Sequence, residues 1–205
     1  MRHLRVLALA FGLIAAVPAA HAQDPPTRPG PWVLDVRGVT LSLPVAAGFV
    51  PPVPSGTSLP SRGFGGELGI RWYGPNWGPS RIGVGAGWIW ARGTTPEVGA
   101  VPGIQEVFTS LTPEVSTNFG TASGWSYVSL GVGTARIRTV SVLKGTTSEP
   151  ASTGSVLDVH AGAGARWFTS NHLAVGFDVR LHRLSAGAAT PSTIRLLTSV
   201  GFSLR

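Results

Sequence analysis

The residues of this chain best suited to catalysis sit in GARWFTSNHLAVGFDVRLHRLSAG, Gly164 to Gly187. His182 precedes Ser185 by three positions, and a histidine beside a serine is the start of nucleophilic chemistry if an acid orients the imidazole. The spacing works against it. In an extended strand positions i and i+2 share a face while i and i+3 do not, so His182 cannot easily reach Ser185. No acid close in sequence orients the ring, and His182 and His160 read instead as hydrogen-bonding residues on the polar face of their strands. His3, His21 and His172 form no metal-ligand spacing, and the absence of cysteine removes thiolate ligands and thiol nucleophiles. No cofactor site is expected. What remains is a question of placement: Arg166, Asp178, Arg180 and His182 each lie between apolar neighbours at every second position.

That alternation runs through the whole chain. Trp32 to about Leu43 is a first period-two segment, followed by Phe64–Tyr73, Arg81–Trp90, Val107–Phe119 and Tyr127–Arg136. Leu157–Trp167, Leu173–His182 and Ile194–Arg205 complete eight, so the expected fold class is all-β. Glycine (28) and proline (17) disfavour long helices. The links between segments alternate in length. Pro44–Ser61, Gly93–Ile104 and Thr139–Gly154 are long, Gly74–Pro79, Gly120–Ser123 and Thr169–Asn171 are short, and Ser185–Pro191 is intermediate. A meander of this kind sorts its links onto opposite ends of an up-and-down barrel, as transmembrane barrels do.

The start of the chain reads as an export signal. Arg2 and Arg5 precede an apolar run from Val6 to Val17, and Ala20-His21-Ala22 supplies an A-x-A cleavage site. Residues 1–22 are therefore expected to be a signal peptide, 23–30 a flexible Pro-rich lead, and 31–205 one barrel domain. Scattered arginines and export argue against a nucleic-acid partner. Charged residues make up 12% of the chain, about half the ~25% usual in soluble domains.

Alternation alone does not say which face is inside. A soluble barrel buries its apolar face, whereas a membrane barrel turns that face to lipid. Sparse charge, a second face made mostly of Gly, Ser and Thr, and aromatics gathered at the short-turn end favour the membrane arrangement. Trp32, Trp72, Phe119, Trp167 and Phe202 would form an interfacial girdle. The opposite parity would then collect Asp35, Glu67, Glu114, Asp158 and Asp178 with Arg37, Arg71, Arg81, Arg136, Arg166 and Arg180. In a lumen just wide enough for side chains, these are expected to pair into an ion network that blocks flow, because unpaired they would be costly there.

GARWFTSNHLAVGFDVR (Gly164–Arg180) resembles the penultimate hairpin of the outer-membrane β-barrel domain family, the OmpA/OmpX-like small barrels. LTPEVSTNFG (Leu111–Gly120) is similar to the family's middle strands and SVGFSLR to its last. The resemblance implies an eight-stranded antiparallel transmembrane barrel in the outer membrane, with both termini in the periplasm. It also implies a protein in contact with outer-membrane lipid and inserted by the barrel-assembly machinery. The family's last strand usually ends on an aromatic residue read by that machinery, whereas here Phe202 lies three residues before Arg205. His182-Arg183-Leu184-Ser185 is similar to the His-x-Ser-Asn stretch of lipid A deacylase barrels, but the asparagine is missing and the histidine has the inward parity. The expected role is non-enzymatic, structural or adhesive, exerted by a monomer through its long loops. The alternative from another class is a soluble periplasmic barrel that holds an apolar ligand.

Overall fold

The computed structural model describes residues 31–44, 53–77, 80–121, 124–185 and 192–204. The expected signal peptide (1–22), the lead (23–30) and Arg205 lie outside the described residues, as do 45–52 and 186–191 within two of the links.

Nine strands follow in chain order: β1 (Trp32–Ser42), β2 (Arg62–Trp77), β3 (Ser80–Thr94), β4 (Gly103–Thr121), β5 (Gly124–Leu143), β6 (Thr146–Thr147), β7 (Ala151–Phe168), β8 (Leu173–Ser185) and β9 (Thr193–Leu204). All pairings are antiparallel, and β1 pairs with β2 on one side and β9 on the other, which closes the sheet. The two-residue β6 folds back on the tip of β5 through Lys144-Gly145, whose φ values of 51° and 75° suit a two-residue hairpin turn. The barrel wall therefore has eight strands.

The strands are longer than a bilayer requires. β4, β5 and β7 contain 19, 20 and 18 residues, against about 9–11 for a tilted crossing strand. The surplus is all at the long-link end, and there the amphipathic pattern reverses. On β5, Val128, Leu130 and Val132 point outward and are exposed, while Tyr127, Ser129, Gly131 and Gly133 point inward. Two residues further on, Thr134, Arg136 and Arg138 are outward while Ala135 and Ile137 are buried inside. β1 does the same: Trp32, Leu34 and Val36 face out against Asp35 and Arg37, then Val39 and Leu41 turn in against Gly38 and Thr40.

One physical rule explains both halves. Apolar side chains go wherever water is absent. Along the lower strands the outside is lipid, so the apolar residues are exposed on the wall. Above the lipid the outside is water, and the same alternation must bury its apolar members in the lumen. There Val39, Leu41, Ile89, Phe108, Ile137, Leu184 and Leu197 form a packed apolar cluster. The upper barrel is thus built like a soluble one.

The lower lumen holds long charged side chains because the positions facing them across the ladder are glycines. Register pairs Arg71 with Gly85, Arg166 with Gly176, Asp178 with Gly164, Arg180 with Gly162 and Arg37 with Gly201. A Cβ at Gly162 would sit 2.6 Å from Cγ of Arg180 and 3.0 Å from the carbonyl oxygen of Val179. Gly162→Ala is therefore expected to lower stability by about 1–3 kcal/mol, read as a shift in the urea midpoint of the vesicle-inserted barrel. Gly38, where a Cβ would meet nothing nearer than 3.8 Å, is the control: Gly38→Ala should fall within ~0.5 kcal/mol of the parent.

Candidate functional site

The lumen is filled in layers. At the short-turn end, Tyr73 and Phe168 stand edge-on to Trp125 at centroid distances of 5.2 and 5.0 Å. Arg81 closes this floor. Its guanidinium donates to the carbonyl oxygens of Gly74 (2.6 Å) and Tyr73 (3.3 Å) and lies 6.0 Å over the Tyr73 ring.

Above the floor, four arginines meet four carboxylates: Arg37, Arg71, Arg166 and Arg180 against Asp35, Glu67, Glu114 and Asp178. Asp35 is the hub. It accepts from Arg37 at 3.1 Å, from Arg166 through Nη2 at 3.1 Å and Nε at 3.3 Å, and from Arg71 and Ser203 at closer range. Asp178 accepts from Arg180 at 2.7 Å and also takes Arg37 and the Tyr127 hydroxyl. Arg180 bridges on to Glu67 at 2.7 Å, and Arg71 reaches Glu114 through its Nε. The Arg166 guanidinium stacks 4.4 Å over the Tyr127 ring. Every one of these charges is buried. Equal numbers of opposite charge, each with several partners, are what a low-dielectric lumen demands.

The next layer contains the histidines. His182 Nδ1 lies 2.9 Å from Asp158, and the Ser110 hydroxyl donates to the other oxygen of the same carboxylate at 2.6 Å. The His160 ring lies tilted against His182 at a centroid distance of 5.0 Å, its Nε2 3.5 Å from Glu114. The acid nearest His182 in sequence, Asp178, belongs to the ion network, and it is Asp158 that stands beside the ring. Asp158 and His182 are 24 positions apart and meet only through the β7–β8 register, which sets His160 opposite His182 and Asp158 opposite Leu184. Even so the order is wrong for nucleophile activation. The carboxylate stands between serine and histidine, so the imidazole has no hydroxyl to deprotonate, and all three residues are at most 2% exposed. Ser185 lies on the outward parity of β8, on the opposite side of the wall from His182.

Glu106 is placed higher, within the apolar roof. It is buried and neither carboxylate oxygen has a hydrogen-bond partner. This position is beyond the outward apolar run Leu111–Phe119 of β4 and so outside the lipid-spanning part of the strand. Burial pushes its carboxyl up to about 8, against the opposing pull of the Arg195 charge.

Two of the expected lumen arginines are elsewhere. Arg81 is inward but belongs to the floor, bonded to backbone carbonyls rather than to the ion network. Arg136 is a correction: it is outward and exposed. The inward parity expected for it is mistaken: position 136 shares the parity of Val128 and Val132 on β5, and past the lipid an outward charge is in water. Trp32, Trp72, Phe119, Trp167 and Phe202 all face outward, between 39% and 56% exposed, towards the short-turn end. Sequence reasoning missed Tyr73, Tyr127, Ser110 and Ser203 as network members. The two tyrosines carried a signal, being bulky residues on a parity otherwise given to glycine and serine.

No protein-family model matches the chain, and no curated protein matches it. Solved structures do. The Ail attachment invasion locus protein of Yersinia pestis, in complex with the heparin analogue sucrose octasulfate, is 14% identical with a TM-score of 0.50, over 84% of this chain and 95% of that one. Neisserial surface protein A is 12% identical at a TM-score of 0.49, over 85% and 97%. The outer membrane enzyme PagL is 20% identical at 0.45, over 84% and 97%. At these identities the likeness is one of fold. The chain is a closed eight-stranded antiparallel barrel of the transmembrane type, with the fold of the small outer-membrane barrels.

Proposed function

We propose that this chain is a non-enzymatic outer-membrane protein, inserted as a monomer by the barrel-assembly machinery, whose role is structural or adhesive and exerted through its outer loops. The observation that carries the reading is the lumen itself. An aromatic floor, a balanced ion network and an apolar roof fill it in succession, which supports neither a water-filled pore nor a cavity for substrate. The His182–Asp158–Ser110 group is sealed inside that filling.

The loops, by contrast, are tied into one surface. Thr95 donates its hydroxyl to the carbonyl oxygen of Ser58 at 2.8 Å, and the Lys144 amide donates to Glu97 at 2.8 Å. The links after β1, β3 and β5 are thereby fastened to one another through the β3–β4 link, itself pinned by a Val98–Val101 bridge. A surface held this way is suited to presenting side chains to a partner.

Three measurements test the reading. The chain should fractionate with outer membrane and show heat-modifiable gel mobility; release by osmotic shock without detergent would favour the soluble ligand-binding barrel. Incubated with lipid A, it should liberate no fatty acid. Because one structural neighbour was solved with a heparin analogue, immobilised heparin is the first adhesion probe. Vesicles carrying the intact chain should bind it, and vesicles whose barrel has residues 95–102 and 144–150 replaced by Gly-Ser linkers should not. Equal retention of both would remove the loops from the account.

Asp178→Ala is expected to destabilise the barrel by about 3–5 kcal/mol, as loss of one partner in a buried pair does, and to leave planar bilayers silent. Stepwise conductance from that variant would turn the plug into a gate.

A further inference from the structure

The outward arginines above the lipid band are not evenly spread. On β3–β5, register sets Arg92 and Arg138 on either side of Val107, and sets Trp90 and Arg136 on either side of Thr109. Strands two apart are separated by about 10 Å, within the combined reach of two arginine side chains. Arg136 and Arg138 share one face of β5 two positions apart, both exposed. Their outward neighbours are Val107, Thr109, Thr134, Ser152 and Ser155, and no carboxylate among the described residues pairs with them. Like charges so placed repel each other unless an anion comes between them.

Arg136 and Arg138 also edge a groove of about 370 Å³ on the outer wall. Arg136, Arg138 and Ser155 line it on the β5–β7 side, Trp88 and Trp90 on the β3 side, and Leu111 lies on β4 between them. Polarity thus changes across the groove, from arginines on β5 to tryptophans on β3, beside the outward apolar run that begins at Leu111. A ligand that fits is anionic on one side and apolar on the other, and the apolar side borders the lipid-facing run of β4.

We propose that this groove binds a phosphorylated, acylated lipid of the outer leaflet. The phosphate sits between Arg136 and Arg138, and the acyl chains lie over Trp88, Trp90 and Leu111. Charge complementarity selects the lipid over a protein partner, since the apolar side of the groove borders the outward apolar run Leu111–Phe119 of the wall. The inference rests on the outer-membrane reading, which fractionation tests separately.

The test uses the detergent-solubilised barrel and native mass spectrometry with two probes, bis-phosphorylated lipid A and its dephosphorylated form. The parent should retain the phosphorylated lipid at least tenfold better. R136Q/R138Q, with both changes on exposed positions, should lose that preference while keeping heat-modifiable mobility, and Arg183→Gln on β8 should keep it. Millimolar inorganic pyrophosphate should not displace the lipid. Equal retention of the two probes by the parent would overturn the proposal without any variant. So would an equal loss in Arg183→Gln, which would mean diffuse surface charge, or full displacement by pyrophosphate, which would mean a free-anion site.

Discussion

Replacing Asp35 with alanine is expected to be the most damaging single change in the lumen, lowering stability by at least about 3–5 kcal/mol. The carboxylate contacts Arg37, Arg71 and Arg166, and its loss would leave three guanidiniums short of charge in a space that excludes water. Truncating one side of a buried ion cluster is costly because of the uncompensated charge left behind, not because the pair was strong. The same logic predicts partial rescue. Asp35→Ala combined with Arg166→Met removes one orphaned cation along with the acid and should recover more than 1 kcal/mol relative to the single variant. Urea unfolding in vesicles, followed by the heat-modifiable gel shift, reads both effects. If Asp35→Ala unfolded at the parent midpoint, the network would not be what holds the strands in register.

Glu106 predicts a dependence on pH that runs opposite to ordinary acid denaturation. Its folded carboxyl is pushed up to about 8 by burial in the roof, well above the usual carboxylate range, so the folded state holds the proton more tightly than the unfolded chain. The stability associated with the neutral acid is fully present below the ordinary carboxylate value near 4–5. It declines as pH rises and is gone above about 8. Over that window the loss approaches about 4–5 kcal/mol. Glu106→Gln keeps the shape and cannot ionise. It should match the parent at pH 4.5 and exceed it by several kcal/mol at pH 9, with the gap opening across that interval. Parallel stability curves for the two proteins would place Glu106 in contact with water.

The barrel was legible because period two survives any environment. Eight alternating segments and links that alternate in length need no knowledge of the partner strands, and they lead to the closed sheet that β1 and β9 complete. The lower lumen was legible for a related reason: Asp35, Arg71, Asp178 and Arg180 are charges that alternate with outward apolar residues. The reading failed where the solvent outside the wall changes. Parity says which face a residue occupies but not whether that face meets lipid or water, and Arg136, on the outward parity of Val128, was miscounted among the inward charges. For the same reason the roof built on Phe108, Ile137 and Leu197 went unseen. Glu106 was missed with it, as an acid on a parity that had become the core. The Asp158–His182 pair was out of reach on other grounds, since strand register creates it and no local spacing announces it.

The wall changes from lipid-facing to water-facing along β1 and β5, and β5 tests this directly. The chain has no cysteine, so single cysteines can be introduced at outward positions 128, 130, 132, 134, 136 and 138 without background. A membrane-impermeant maleimide added to barrel-containing vesicles, with outer loops outward, should label 134, 136 and 138. It should leave 128, 130 and 132 untouched until the barrel is unfolded in urea and heated, with the break falling between Val132 and Thr134. Uniform labelling along all six positions would contradict the account and make this a barrel that stands in water.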